Sequence, residues 1–519
     1  MALKITYATM SADSEELNAS FDDAVATAPS RLGATHPLMI NGEKRAMSTT
    51  VDEFSPIDSE ILIGRYSVAT PDDIDDAVAA AKAFAPQWEA WGWEKRRDLM
   101  LRAADIMEAR VFEMAADMAI EIGKNRLEAL GDIAETVEFF RYYARQITEH
   151  DGFVTPLSSL SPEETNTSVL RPWGVWAVIS PFNFPMALAA GPSIGALITG
   201  NTVVLKPSVQ GALMALYFYS VMEDAGLPAG ALHVVTGDSE PGDHLAHHPD
   251  VDGLTFTGSY PVGMHLYRTV NQDRPKPVMC EMGGKNPVVV THTADLDKAA
   301  TGVVRSAFGL SGQKCSAASR VYVQRAVYDD FVARVVEKTE KLTVGNPLQR
   351  DVYMGPVIDQ DVVAKFRRAV TEVESSGGKV LVGGQVIEDG DLARGNFVQP
   401  TVATAPFDSW IWKEELFMPF LAVGPVESLA EGLERSNDTE FGLTAGLFAT
   451  DEDEIERWFQ GIQAGVTYVN REAGATTGAW PDIQSFGGWK GSGTSGTGGG
   501  GPWYLRQFLR EQSRTRIRS

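Results

Sequence analysis

The reactive chemistry this chain can offer rests on two cysteines and a few carboxyl and amide side chains. Cys315 lies in Ser311-Gly312-Gln313-Lys314-Cys315-Ser316-Ala317, a polar, glycine-containing turn ahead of a strand expected over Arg320–Gln324. Most cysteines are small buried hydrophobes. A glycine-rich approach, however, turns backbone N–H groups toward a reacting centre, and a thiolate there is a strong nucleophile. Glu281, in Cys280-Glu281-Met282-Gly283-Gly284-Lys285-Asn286-Pro287, closes a strand expected to be buried. A carboxylate there is a costly buried charge or a general base with a raised pKa. Asn183 sits in Ser180-Pro181-Phe182-Asn183-Phe184-Pro185, again at a strand end. Its amide either steadies a proline-bounded turn or holds a developing oxyanion.

Weaker signals point to a dinucleotide. Gly258-Ser259, with Gly263 beyond, follows a strand and opens a helix, a place for a phosphate, although the spacing is not GxGxxG. Lys206-Pro207-Ser208 ends another strand, where the lysine either reaches a ribose hydroxyl or lies on the surface. His244, His247 and His248 form an HxxHH cluster, but a metal site needs further ligands and Pro249-Asp250 suggests a loop, so no metal is expected.

The elements that must position these residues follow from periodicity. Thr70-Pro71-Asp72-Asp73 opens a helix: an N-cap residue, a proline in the first turn and acids at the positive helix end. A long helical region follows over about 94–147 with a break near Gly123. Beyond it, short β-branched runs alternate with helices. Strands are expected at Val175–Ile179, Val203–Leu205, His233–Thr236, Leu254–Phe256, Val278–Cys280, Val288–Val290 and Val321–Val323, with helices at Ala212–Ala225 and from Asp295 and Tyr328. Such alternation implies mostly parallel sheets covered on both faces, with ligands beyond the carboxyl ends of the strands.

Residues 1–35 read as a polar N-terminal extension, and the Gly/Ser/Thr tract Gly491–Gly501 as a flexible loop. The uncharged stretch Pro172–Leu205 is long enough to suggest a membrane span, but its four prolines favour a buried strand–loop–helix–strand unit. The chain of 519 residues, with 44% apolar and 22% charged residues, is long enough for two or three globular domains. A net charge of −24 argues against nucleic-acid or anionic-membrane partners. The basic C-terminal tail (Arg506, Arg510, Arg514, Arg516, Arg518) reads as a surface strand. Two cysteines exclude a disulfide scaffold, and no signal peptide is visible at the start, so a cytoplasmic setting is expected.

Together the motifs resemble the aldehyde dehydrogenase superfamily from about residue 38 onward. Blocks occur in that family's order: Ser180–Pro185, Gly200-Asn201-Thr202 through Lys206-Pro207-Ser208, Phe256–Ser259, Glu281–Lys285, Gly312–Cys315, Glu415-Leu416-Phe417-Met418-Pro419 and Phe486-Gly487-Gly488. The resemblance implies an α/β fold: a Rossmann-like NAD(P)-binding domain (36–153 and 171–280), an α/β catalytic domain (281–489) and a small β oligomerisation arm (154–170 and 490–519). It implies Cys315 as nucleophile, Asn183 as oxyanion donor and Glu281 as the base that hydrolyses a thioester. Relatives that pass the acyl group to coenzyme A typically lack that base. Lys206 and Glu415 would hold the riboses, Phe417 would lie beside the nicotinamide and Ser259 would touch the pyrophosphate. Ser180, Phe182, Ser208 and Gly258 complete the implied cofactor site.

In NAD-preferring members a glutamate often follows the ribose lysine by three residues. Val209 stands there, which removes repulsion toward a 2′-phosphate, so both NAD and NADP are expected to serve. Thr477-Gly478-Ala479, Gln484 and Phe486-Gly487-Gly488 resemble the substrate-carboxylate anchor loop of the L-glutamate γ-semialdehyde (1-pyrroline-5-carboxylate) dehydrogenase group, and Ser316, next to the nucleophile, also matches that group. Departures are an insertion between Asn470 and Thr477, Trp480-Pro481 in place of a smaller pair, and Ser485 where proline is usual. Trp480 would equally suit an apolar or aromatic aldehyde. An inactive structural protein on the same fold is the reading from another class, disfavoured by the joint presence of Cys315, Glu281 and Asn183. A homodimer or a multiple of dimers is expected.

Overall fold

A computed structural model describes residues 14–472 and 480–518. Thr70 opens the helix Pro71–Ala90 with a reciprocal capping box: its hydroxyl accepts from the Asp73 N–H while Asp73 reaches back to the Thr70 N–H. The long helical region resolves into Trp93–Ala109, Val111–Ile122 and Arg126–Glu149. Gly123, at a φ of 77°, ends the second in the left-handed conformation that glycine adopts freely. These helices pack on Ala187–Ile198 and Ala212–Asp224, which in turn cover one face of a seven-stranded sheet.

In spatial order that sheet runs Val278–Glu281, Gly253–Thr257, Val175–Ser180, Thr202–Pro207, Leu232–Val234, Leu38–Ile40 and Glu43–Arg45. Its first five strands are parallel. The register aligns their carboxyl ends: Ile179 pairs with Lys206 and with Phe256, and Thr257 pairs with Glu281. Leu232–Val234 stops short of the expected Thr236, whose hydroxyl instead donates to the Ser67 carbonyl. The uncharged stretch Pro172–Leu205 folds as strand, loop, buried helix Ala187–Ile198 and strand. Among the described residues no helix is long and apolar enough to cross a membrane.

A second seven-stranded sheet orders Lys379–Val382, Thr401–Thr404, Phe420–Val426, Ala318–Gln324, Asn286–Val290, Thr444–Phe448 and Val466–Val469, antiparallel only at its first pair. Helices Leu296–Phe308 and Tyr328–Glu340 pack against each other and onto this sheet. The four-residue passage Met282–Lys285 is all that separates a strand of the first sheet from a strand of the second. A third, antiparallel sheet stands apart. In it the basic tail Leu509–Ile517 pairs residue by residue with Glu164–Pro172, which also pairs with Val154–Leu157.

One expectation is corrected and one filled in. Within the N-terminal stretch Ser14 caps a helix, Glu15–Thr27, whose Leu17 and Phe21 are buried in the main core, with the Arg126 guanidinium over the Phe21 ring. Ala24, Val25 and Ala28 continue that face into the same core, but small residues make it a weak stripe in sequence. The tract Gly491–Gly501 is not a free loop. The Thr494 N–H donates to the Cys280 carbonyl at 3.1 Å while its hydroxyl accepts from the Cys280 N–H at 2.9 Å, and Ser492 is fully buried. Glycine serves there for close approach, since a Cβ at Gly493 would meet the Gly488 backbone.

Candidate active site

Cys315 is half-buried where the two sheets meet. It is reached through three successive residues at positive φ, Leu310 (47°), Ser311 (54°) and Gly312 (68°). Only glycine occupies that region freely, so Leu310 and Ser311 are held there by their surroundings. Glu128, on the helix Arg126–Glu149, accepts from the Leu310 N–H and pairs with Lys314 at 2.7 Å. The Ser311 hydroxyl donates to the Gly355 carbonyl. A Cβ at Gly312 would collide with the Met418 carbonyl, which excludes any other residue there. Beyond the thiol, the Asn286 amide donates to the Cys315 and Ala317 carbonyls at 2.6 and 2.9 Å.

The Asn183 amide is buried and donates one hydrogen to the Gln313 carbonyl at 3.0 Å, two residues from Cys315. An amide nitrogen carries two hydrogens, so a second donor remains for an oxygen beside the thiol. Burial, followed by the negative charges of Glu415 and Glu281, pushes the Cys315 thiol up to about 12; its own N–H and that of Ser316 oppose the shift. Burial likewise raises Glu281 to about 8 against the Gly488 N–H, and its Oε2 has no hydrogen-bond partner among the described residues. This is a carboxyl kept from full ionisation at neutral pH, as general bases often are.

The passage after Glu281 is pinned atom by atom. The Gly258 N–H donates to the Glu281 carbonyl at 3.1 Å and the Met282 N–H to the Ser492 carbonyl at 2.8 Å. The Ser492 hydroxyl donates to the Gly283 carbonyl at 2.7 Å while accepting from the Gly442 N–H at 3.0 Å. The Gly284 N–H donates to Glu415 at 2.9 Å, and the Lys285 carbonyl accepts from Arg320 at 2.8 Å. These five backbone groups of the passage keep partners, and the strand end that carries Glu281 is fixed.

The implied cofactor residues gather at the aligned strand ends. Ser180 is buried and its hydroxyl oxygen has no partner among the described residues. Its carbonyl accepts from the Ser208 N–H at 2.8 Å. Lys206 is brought down to about 8 by burial, against the pull of Asp238. Ser259 N-caps the helix Tyr260–Thr269 without spending its hydroxyl on that helix, and Gly258 precedes it. Across the recess, burial holds Glu415 at about 7, and Phe417, at a φ of 55°, meets the Phe182 ring edge-on at 6.0 Å.

Of the implied substrate residues, Ser316 and Trp480 are buried, and Gln484 links Arg471 to the Thr467 carbonyl. Thr477, Gly478 and Ala479 lie outside the described residues. The structure adds side chains that sequence reasoning missed. Lys124 and Asp132 form a fully buried pair at 2.7 Å, with the ammonium 3.7 Å from the centre of the Phe184 ring, directly after Asn183. Glu135 is raised to about 8 by burial and by Asp132, with Lys124 and Lys314 pulling it back. Among the described residues it has no cation in contact. One signal was present: Glu128, Asp132 and Glu135 fall at i, i+4 and i+7, one acidic stripe on a mostly buried helix.

Comparisons with known proteins agree with this geometry. The profile of the aldehyde dehydrogenase family matches residues 43–513. The 1-pyrroline-5-carboxylate dehydrogenase of Anoxybacillus flavithermus is 40% identical over 504 residues, 96% of this chain and 95% of its own. The enzyme of the same name from Bacillus subtilis is 39% identical over the same shares. Among solved structures, a Thermus 1-pyrroline-5-carboxylate dehydrogenase with bound NAD superposes with a TM-score of 0.93 at 33% identity, covering 97% of both chains. The chain belongs to the aldehyde dehydrogenase family.

Proposed function

We propose that this chain oxidises L-glutamate γ-semialdehyde to glutamate with NAD or NADP, through a thioester on Cys315. The observation that carries the reading is the convergence of Cys315, the unspent Asn183 N–H and the buried Glu281 carboxyl at the aligned ends of a parallel sheet. The Cys315 thiol loses its proton to solvent, its sulfur attacks the aldehyde carbon, and the oxyanion is received by the Asn183 amide and the Cys315 N–H. When bound, NAD(P) would supply the hydride acceptor, and loss of hydride from the Cys315-bound carbon would leave the thioester. Glu281, ionised, then takes a proton from water, whose oxygen attacks the thioester carbon and expels the Cys315 thiolate. Covalent attachment supplies catalysis by fixing the reacting carbon in place.

The residues present fit a dinucleotide. The unpartnered Ser180 hydroxyl, the free Ser259 cap and the Lys206 and Glu415 side chains form a polar rim around a strand-end recess. Lys206 and Glu415 hold the ribose hydroxyls, Ser259 the pyrophosphate, and Phe417 the nicotinamide face.

For the aldehyde, the names of the relatives agree with the pocket. An amino-acid semialdehyde carries an ammonium group, for which the buried Glu135 carboxyl, without a cation in contact among the described residues, is the partner we propose, while Ser316 lies next to the nucleophile. A carboxyl turned to an apolar substrate would instead cost free energy. The test is absorbance of the reduced cofactor with pyrroline-5-carboxylate, hexanal and benzaldehyde, each with NAD and with NADP. Turnover is expected to favour pyrroline-5-carboxylate by kcat/KM with either cofactor, and a preference for benzaldehyde would reject the assignment.

The third sheet serves assembly into dimers. It exposes Val154, Leu157 and Ile517, and Leu160 at its hairpin is 95% exposed, an apolar surface suited to burial against a second copy. Light scattering on the intact protein tests this by its mass.

A further inference from the structure

We propose that Asp243, His247 and His265 form a binding site for one divalent transition-metal ion of the zinc class. Asp243 and His247 lie one turn apart on the helix Ser239–His247, and His265 faces them from the neighbouring helix Tyr260–Thr269. One ligand atom from each falls within 4.8 Å of the others. The HxxHH cluster in the sequence thus has its further ligands, one inside its own helix and one from the next.

Distances support an ion more than a hydrogen bond. Asp243 Oδ1 is 3.4 Å from His247 Nδ1 and 3.4 Å from His265 Nε2. A charge-assisted hydrogen bond closes to about 2.8 Å. Ligands at about 2.0–2.1 Å around a tetrahedral ion stand about 3.3–3.4 Å apart. The neighbouring trio shows the contrast: Asp75 lies 2.7 Å from His244 Nε2 and is engaged in an ordinary hydrogen bond there, with His248 Nε2 at 3.4 Å.

The Thr269 hydroxyl donates to the His265 carbonyl at 2.8 Å, so its oxygen accepts from His247 Nε2 at 2.8 Å. His247 Nδ1 lies 2.9 Å from the Asp243 carbonyl oxygen, which can only accept a proton, and 3.4 Å from the Asp243 carboxylate. A metal ion bound at Nδ1 would take the place of that proton. A histidine that ligates through one nitrogen while donating from the other is the usual second-layer support for a metal. Two imidazoles and one carboxylate suit Zn²⁺, Ni²⁺ or Co²⁺ better than Mg²⁺ or Ca²⁺, which take oxygen ligands. Side-chain exposures of 34%, 56% and 58% for His247, His265 and Asp243 leave the fourth position to water.

The ion would join two helices that both border the proposed cofactor site. Gly242, next to Asp243, packs on the Lys206 side chain, and Ser259 caps the helix that carries His265.

The test is calorimetric titration of NiCl₂ into untagged full-length protein, with Co²⁺ absorption as a second probe. One Ni²⁺ per chain is expected. Affinity should fall at least ~10-fold in His247→Ala and in His265→Ala and stay unchanged in His244→Ala. All three residues are at the surface, so circular dichroism and aldehyde oxidation verify that each variant folds. Bound Co²⁺ should show a visible ligand-field band without a thiolate charge-transfer band. No binding, equal binding by all variants, loss in His244→Ala in place of His265→Ala, or a thiolate band that places the metal on Cys315 would each overturn the proposal.

Discussion

Glu281→Gln removes one ionisable group and keeps a side chain of the same shape, with an oxygen still able to accept from the Gly488 N–H. The native carboxyl sits near pH 8 because burial disfavours its charge. As a base it works only when ionised, so the competent fraction is about 0.1 at pH 7 and about 0.9 at pH 9. Thioester hydrolysis by the native protein should therefore rise roughly 10-fold between those values and level off above. The glutamine variant should lose that profile and slow ~10²–10⁴-fold, which corresponds to about 3–5 kcal/mol of barrier. Acylation should not slow, because the negative charge of Glu281 is among the causes that raise the Cys315 thiol, and the variant lacks it. Stopped-flow absorbance of the reduced cofactor separates the two stages. The variant should give a full burst of one equivalent per site and then almost stop. A steady-state rate within a few-fold of native, or native hydrolysis flat from pH 7 to 9, would refute the reasoning.

The Ser492 hydroxyl serves two buried backbone groups, the Gly283 carbonyl and the Gly442 N–H. Ser492→Ala should cost about 2–4 kcal/mol by urea unfolding, since an orphaned buried group costs ~1–3 kcal/mol, and should lower kcat through the displaced Glu281. Lys124→Met leaves Asp132 charged and fully buried, for ~3–5 kcal/mol of destabilisation. The double variant Lys124→Met/Asp132→Leu should be less destabilised than that single one, and the same unfolding assay decides. Burial raises Glu53 from 4.5 to about 8, so the folded chain retains a proton that the unfolded chain has released between those values. Its contribution to stability is complete below about pH 4.5 and is lost as pH rises through about 8. Glu53→Gln, which can still accept from the Gly211 N–H, should flatten the decline in unfolding free energy from pH 4.5 to about 8, by on the order of a few kcal/mol at most, read by urea unfolding across that range.

The readable parts of the sequence were those where local chemistry and long-range packing agree. The Thr70 cap, the Gly123 stop and the proline-broken stretch before Leu205 each announce their elements because the neighbouring residues decide the conformation. Cys315, Glu281 and Asn183 were legible as candidates from their strand-end positions, and their company in ordered blocks pointed to the family. Contacts made across the chain were not legible. Glu128 holds the Cys315 turn from 182 residues away at Leu310. Nothing near Lys124 reveals that its ammonium will lie under Phe184. The tract Gly491–Gly501 has the composition of a loop, yet its hydrogen bonds go to a strand more than 200 residues earlier. His265 gave no sign of joining Asp243 and His247, since the strand Gly253–Thr257 between their helices fixes that meeting.

The account stands or falls on a glutamyl thioester at Cys315. Glu281→Gln mixed with pyrroline-5-carboxylate and NAD, quenched in acid and digested, should show by mass spectrometry one glutamyl adduct. It should be confined to the peptide that contains Cys315 and absent when NAD is withheld. A cofactor burst with no adduct, or an adduct on Cys280, would contradict it.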